Sequence, residues 1–168
     1  MAPPEDSAPF ARIASYYDAL VDEHGDSAHA CDYGDPRSQT KRFEVLTSGL
    51  PLDGAQLLDV GCGLGHLADY LEQRGFDVSY TGVDLSPRMI ELAQERRADL
   101  DVRVADILTD DIGRFDVVIA NGIFYLLGEH AEEMMRTLVT RMFELARAAI
   151  AFNSLSTWAS DQEEGEFY

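Results

Sequence analysis

Lysine is almost missing from this chain. Of 13 basic residues only Lys41 is a lysine, against 31 acidic residues and a net charge of −18. So little positive charge excludes a phosphate-tracking footprint for nucleic acid and a polybasic patch for an anionic membrane surface. Cysteine is equally scarce. Cys31 and Cys62 are too few for a disulfide scaffold, lack zinc spacing and read as free thiols. Long apolar runs are lacking too; none approaches the ~20 residues of a membrane span. The opening "MAPPEDSAPF" is acidic and proline-rich, the reverse of a signal peptide. It reads as a disordered leader over residues 1–9, and a soluble, cytoplasmic protein is the default expectation. The histidines His24, His29, His66 and His130 form no metal-ligand spacing, so no metal site is expected. The acid-rich, lysine-poor composition fits a salt-adapted source, and equally a GC-rich genome that favours Arg over Lys.

What is present is a chain of 168 residues, 46% hydrophobic, enough for one domain with a real core. Up to about Leu50 two helical patterns flank a turn-rich loop. "FARIASYYDALV" repeats Phe10, Ile13, Ala14, Tyr17, Leu20 and Val21 at helical spacing. "PRSQTKRFEVLTSGL" has Pro36 in its first turn and Gly49 past its end. From about Gln56 to Asn153 strands and helices alternate. The apolar runs "QLLDV", "VSYTGVD", "VRVADI", "FDVVIAN" and "AAIAFNS" read as five strands. Between them lie "HLADYLEQRG", "SPRMIELAQERRA" with Ser86 as cap and Pro87 at the first helical position, and "EHAEEMMRTLVTRMFELAR", with Met134, Leu138, Met142 and Leu145 on one face. Nearly continuous apolar strands separated by helices predict a doubly wound α/β fold with a mostly parallel sheet. The segment "LSTWASDQEEGEFY" is an acidic tail without a clear strand.

The chemistry concentrates at the strand ends. "LLDVGCGLGH" places Gly61, Gly63 and Gly65 between the first strand and the first helix of the alternating part, where open α/β sheets bind ligands. A dinucleotide fingerprint, G-x-G-x-x-G, would need its third glycine at His66, so that fit is imperfect. Asp59, two residues before Gly61, suits a ligand with an ammonium group. Asp84 closes the second strand about twenty residues beyond the glycines, where a carboxylate can accept both hydroxyls of a ribose. Asp106 follows the third strand, and Asn121 and Gly122 follow the fourth. Each acid read singly has a plainer reading as a cap or loop residue. Three acids at three successive strand ends are far more specific. Cys62 stands where a nucleophile elbow would need serine, so it is a poor nucleophile and its expected role is through its backbone amide. Phe124 and Tyr125 line an acceptor pocket or belong to the core, with core favoured. His66, beside the glycines, is the most interesting histidine, though a surface role is the plainer one.

The G-x-G-x-G spacing, "D-x-S-x-x-M" from Asp84 to Met89, and "VADIL" together resemble class I S-adenosylmethionine-dependent methyltransferases of the small-molecule type. The likeness covers about Phe10 to Asn153. It implies a Rossmann-like methyltransferase fold and S-adenosyl-L-methionine as cofactor. It further implies that Asp59, Gly61, Cys62 and Gly63 border the amino-acid moiety and ribose. Asp84 would take the ribose hydroxyls, Leu85 and Met89 would flank the adenine, Asp106 and Ile107 would meet its amino edge, and Asn121 and Gly122 would lie near the sulfonium. The N-terminal "FARIASYYDAL" resembles the "I-A-x-x-Y-D" opening of such enzymes through Tyr17 and Asp18. On that likeness residues 10–50 form a helical cap over the cofactor cleft, residues 51–154 the cofactor-binding core and residues 155–168 a tail. Tyr33, Gln39 and Arg42 are candidates to face the cleft, with Arg42 able to meet a carboxylate.

The expected function is methyl transfer to a small-molecule acceptor. No nucleic-acid or membrane partner is expected, and neither an oligomeric state nor a catalytic group is singled out. Asn121-Gly122-Ile123-Phe124 lacks the Asn/Asp-Pro-Pro-aromatic signature of enzymes that methylate base amines. Two rivals stand beside this reading: a non-catalytic S-adenosylmethionine-binding or scaffolding protein, and a NAD-dependent oxidoreductase, in which Asp106 has no special task. The likeness departs at the carboxyl end. The family's core has seven strands and five are counted here. The expectation is a fifth strand with one edge lacking its usual neighbour, as in a fragment of a longer chain, or with that edge capped in another way.

Overall fold

Leu57 and Leu58 are neighbours in strand β1 (Ala55–Val60), and both are wholly buried. Successive strand residues point to opposite faces, so both can be buried only when layers cover the sheet on both sides. The computed structural model, which describes residues 9–158, 162 and 166–168, shows that arrangement. Residues 1–8 of the expected leader and residues 159–161 and 163–165 of the tail lie outside the described residues.

In chain order the elements are α1 (Pro9–His24), α2 (Pro36–Thr47), β1, α3 (His66–Gln73), β2 (Val78–Asp84), α4 (Pro87–Arg96), β3 (Val102–Val104), β4 (Phe115–Ala120), α5 (Ala131–Leu145) and β5 (Ala146–Phe152). The sheet has the order β3-β2-β1-β4-β5, and every pairing is parallel. Order reverses beside β1, so the ends of β1, β2 and β4 converge where a doubly wound sheet binds ligands. One face packs Leu57, Val117 and Ile119 against Phe43 and Leu46 of α2 and Leu67 and Leu71 of α3. The other packs Leu58, Val60, Val118 and Ala120 against Leu138, Met142 and Leu145 of α5. In α4, Ile90 and Ala93 seat against Val102 and Cys62.

Local chemistry explains the boundaries. Asp35 caps α2 by accepting from the amides of Arg37 and Ser38 at 2.7 and 2.9 Å, with Pro36 following. Ser86 caps α4 by accepting from the Met89 amide at 2.9 Å. Three segments differ from the sequence reading. The strand expected over "VRVADI" is only Val102–Val104, because Asp106 turns the chain: its carboxylate accepts from the Leu108 amide and its carbonyl from Thr109 and Asp110. The helix expected from Glu129 begins at Ala131, after a 3-10 turn over Gly128–His130. It also ends earlier, at Leu145, and Ala146 passes straight into β5 because it is already extended and pairs with Phe115. Among the described residues, β5 is hydrogen-bonded to β4 alone and forms one edge of the sheet.

Gly65 heads α3 with φ +74°, and a side chain there would drive a Cβ into Leu100. Backbone strain and steric conflict therefore act together. Gly65→Ala is expected to lower unfolding free energy by about 1–3 kcal/mol, left-handed strain alone accounting for ~1–2. Chemical denaturation checks this, and a loss below about 0.5 kcal/mol would show that neither effect operates.

Candidate functional site

The ends of β1, β2 and β4, the segment after β3 and the inner side of α1 enclose one cavity. It holds about 1070 Å³ of space, counting its open mouth. Asp59, Gly61, Cys62, Gly63, Asp84, Leu85, Met89, Asp106, Ile107, Asn121 and Gly122 all line it. Every cofactor-binding candidate read from the sequence is thus brought to a single place. Tyr33 and Gln39 line it as well. Arg42 does not; its guanidinium stacks 5.1 Å from the Tyr33 ring centre and borders a neighbouring groove. The carboxylate partner expected of Arg42 is therefore not offered to this cavity.

The glycine loop is held by its own chain. The amides of Gly61 and Cys62 both donate to the Val83 carbonyl, at 2.8 and 3.0 Å. The Gly65 amide donates to the Cys62 carbonyl, and the Gly63 amide to Asp84 Oδ2 at 2.8 Å. The expected role of the Cys62 amide is corrected here, since that amide is engaged inside the loop. At Gly61 (φ +70°) an added Cβ would overlap Ile123, so its lost side chain makes room for protein.

Asp84 is the hub of the site. Its Oδ2 takes the Gly63 amide and its Oδ1 the Ser86 amide, at 2.8 and 2.9 Å. Burial raises its pKa above the ordinary carboxylate value, and the Ser86 and Gly63 amides oppose that rise. Asp59 is 3% exposed and accepts from the Tyr80 hydroxyl at 2.7 Å. Burial pushes its pKa up to about 7, against the lowering effect of that hydrogen bond. Asp106 uses Oδ1 for the Leu108 amide. Asn121 donates to the Tyr33 hydroxyl at 2.6 Å and accepts from Asn153, whose own oxygen takes the Gly122 amide at 2.7 Å. Sequence reasoning missed Asn153; only its place at the end of the fifth strand signals it.

Phe124 and Tyr125 part company. Phe124 is 1% exposed in the core, whereas Tyr125 faces the cavity. Its hydroxyl lies 2.6 Å from that of Tyr17 and donates to Asp32 at 2.7 Å. Tyr17 and Asp18 had carried the N-terminal likeness: Tyr17 lines the cavity, and Asp18 accepts from the Ser86 hydroxyl at 2.5 Å. His66 has both ring nitrogens engaged, Nδ1 with Gln39 at 3.1 Å and Nε2 with Asp26 at 3.0 Å, so it ties the cap to α3. Burial pushes the Cys31 thiol up to about 12 and raises that of Cys62 strongly, which leaves neither as a thiolate. Among the described residues no cluster could hold a metal ion, and no helix is long and apolar enough to cross a membrane.

Comparison with known proteins agrees with this arrangement. The model of a methyltransferase domain matches residues 58–148. A Mycobacterium tuberculosis protein named as a methyltransferase is 31% identical over 125 residues, covering 69% of this chain and 74% of its own. Magnesium-protoporphyrin O-methyltransferase of Rhodobacter capsulatus is 34% identical over 115 residues, 64% of this chain. The chain spans 49% of that relative's length. Among solved structures, magnesium protoporphyrin IX methyltransferase of Synechocystis with bound S-adenosylmethionine superposes with a TM-score of 0.67. That likeness covers 96% of this chain and 83% of the other at 18% identity, and it speaks for the fold.

The raised pKa of Asp59 has a testable sign. Between about pH 4 and pH 7 the folded chain keeps a proton that the unfolded chain has released, so stability falls as pH rises through that window. Asp84 acts in the same direction. Asp59→Asn should therefore raise the thermal midpoint of the unliganded protein at pH 8, by about 2–4 °C for each ~1 kcal/mol recovered. The gain should shrink toward pH 5, where Asp59 is neutral in the fold. Midpoints measured from pH 5 to 8 check this; a gain independent of pH would contradict it.

Proposed function

Since the chain belongs to the class I S-adenosylmethionine-dependent methyltransferase family, we propose that this cavity binds the cofactor and directs its methyl group to a small-molecule acceptor. The observation that carries the reading is the meeting of Asp59, Asp84 and Asp106 at three successive strand ends around one cavity. When bound, the cofactor supplies a methyl group already made reactive by its sulfonium, which leaves as a neutral thioether.

The donor set fits such a ligand. Asp84 gives one lone pair of each oxygen to a backbone amide and keeps the others for a ribose diol. Asp59, buried beside Tyr80, gains its negative charge best when a cationic ammonium lies near. Met89 and Leu85 supply apolar surface for a base, and Asp106 keeps Oδ2 for an amino group. The chain's remaining work is alignment and exclusion of water, for which the apolar inner face of α1 is suited.

A NAD-dependent reading fares worse on the same geometry. A pyrophosphate needs free backbone amides at the glycine loop. Here the amides of Gly61, Cys62, Gly63 and Gly65 already have partners within the protein.

Isothermal titration should show S-adenosylhomocysteine binding and no NAD binding; NAD binding at micromolar level without a response to S-adenosylhomocysteine would overturn the assignment. Turnover with candidate acceptors separates an enzyme from a non-catalytic binding protein. Asp84→Ala should weaken S-adenosylhomocysteine by on the order of 2–4 kcal/mol through two lost charge-assisted hydrogen bonds. Because Asp84 also holds two amides, the unliganded thermal midpoint falls too, and Asp84→Asn, which keeps the shape, is the companion variant. Unchanged affinity in both variants would remove Asp84 from the ribose.

A further inference from the structure

The wall of the cavity formed by Tyr17 and Tyr125 has a definite hydrogen-bond polarity. Asp32 is exposed, and its carboxylate can only accept. It takes the Tyr125 hydroxyl hydrogen at 2.7 Å on Oδ2, where Tyr16 also donates at 3.0 Å. Tyr125 has one hydroxyl hydrogen, and Asp32 uses it. The 2.6 Å contact between Tyr125 and Tyr17 must then run the other way, with Tyr17 donating. That uses the one hydrogen of Tyr17. Both tyrosines line the cavity, and the Tyr17 oxygen, its hydrogen spent on Tyr125, is left able only to accept.

The charge of the cavity points the same way. Asp59, Asp84 and Asp106 line it, and among the described residues that line it there is no lysine or arginine. The segments outside the described residues contain neither type in their sequence. His66 is engaged on both nitrogens. Around Tyr17 and Tyr125 the wall is apolar, built from Phe10, Ile13, Ile123, Leu126, Leu127 and Leu138. An anionic acceptor would lose its hydration there and meet no cationic side chain, the charges of the cofactor being the only positive ones near it.

We infer that the acceptor is an uncharged, largely apolar molecule that gives an O–H or N–H hydrogen to the Tyr17 oxygen, with Tyr125 and Asp32 as positioning residues that hold Tyr17 in its accepting state. The inference rests on the methyltransferase reading above and narrows its substrate class. Carboxylates and phosphates are disfavoured by a lining that carries carboxylates and no cationic side chain, and molecules that can only accept hydrogen bonds are disfavoured at Tyr17.

Three probes of one shape test it on protein saturated with S-adenosylhomocysteine: 2-naphthol, 2-methoxynaphthalene and 2-naphthoate. Saturation is measured first, so failure of the cofactor product to bind counts against the family-based function and not against this step. On loaded protein 2-naphthol should bind tighter than its methyl ether by about fivefold, the worth of one ordinary hydrogen bond, and 2-naphthoate should bind weakest. In Tyr17→Phe the preference for naphthol over the ether should vanish. In Tyr125→Phe the Tyr17 hydrogen is released from its partner and can turn to the ligand, so the ether should gain on naphthol. A purely structural role for the pair would weaken all three probes alike. Naphthoate binding as tightly as naphthol, a naphthol preference that survives Tyr17→Phe, a Tyr125→Phe variant with wild-type selectivity, or no binding of any probe would each overturn the inference.

Discussion

The Asp84 carboxylate is the joint on which the site depends. It closes β2, accepts the Gly63 amide from the glycine loop and accepts the Ser86 amide from the cap of α4. Ser86 in turn holds the Met89 amide and donates to Asp18 of α1. The glycine loop, the end of β2, the start of α4 and α1 are thus connected through two small side chains. Ser86 is wholly buried and Asp84 half-buried, so a lost partner leaves a polar group poorly satisfied. Burial also makes the ionised form of Asp84 costly, and the amides that compensate are the ones that shape the loop. The shape of the loop and the charge state of Asp84 therefore depend on the same hydrogen bonds.

The fold was legible because its signals are local. Apolar runs such as Val117–Ala120 read as fully buried strands, and Asp35-Pro36 and Ser86-Pro87 mark helix starts by capping chemistry. The strand after Asp101 was overextended because Asp106 turns the chain through a carboxylate bond that alternation does not encode. The start of α5 was placed early because the 3-10 turn at Gly128 has helical composition without an α-helical bond pattern. At the site, Asp59, Asp84 and Asp106 were legible since each ends a strand. The Tyr17–Tyr125–Asp32 chain was not, because its members are separated by as many as 108 positions and meet only through the packing of α1.

The glycines show how a motif can be read correctly in place and incompletely in cause. Alternating glycines after a strand suggested the close approach of a ligand. Space for a side chain at Gly61 and Gly65 is filled instead by Ile123 and Leu100, and at Gly63 the Cys31 sulfur lies 3.1 Å from where a Cβ would be. The loop is narrow because protein presses on it from three sides. What it presents to the cavity is a shaped backbone whose amides are already satisfied, a surface suited to hydroxyl and ammonium groups near carboxylates and unsuited to a pyrophosphate.

The two halves of the site differ in where they come from. Asp59, Asp84, Asp106 and Asn121 all lie within residues 58–148, the part that matches the methyltransferase domain. Phe10, Ile13, Tyr17, Asp32 and Tyr33 lie before it. They are held down by the buried cluster of Val21, Ala30, Leu64 and Met89, which seats the first helix and its following turn on the glycine loop and α4. The ion pair of Asp22 with Arg88 is largely exposed and adds little. Apolar burial thus sets the distance between the N-terminal helix and the carboxylates at the strand ends. The matched part carries the carboxylates together with Tyr125 and the wall residues Ile123, Leu126, Leu127 and Leu138, while Tyr17, Asp32, Phe10 and Ile13 come from the N-terminal segment. The Tyr17–Tyr125 contact therefore joins the N-terminal segment to the matched domain across the cavity, and the seating of residues 9–50 sets that part of the wall.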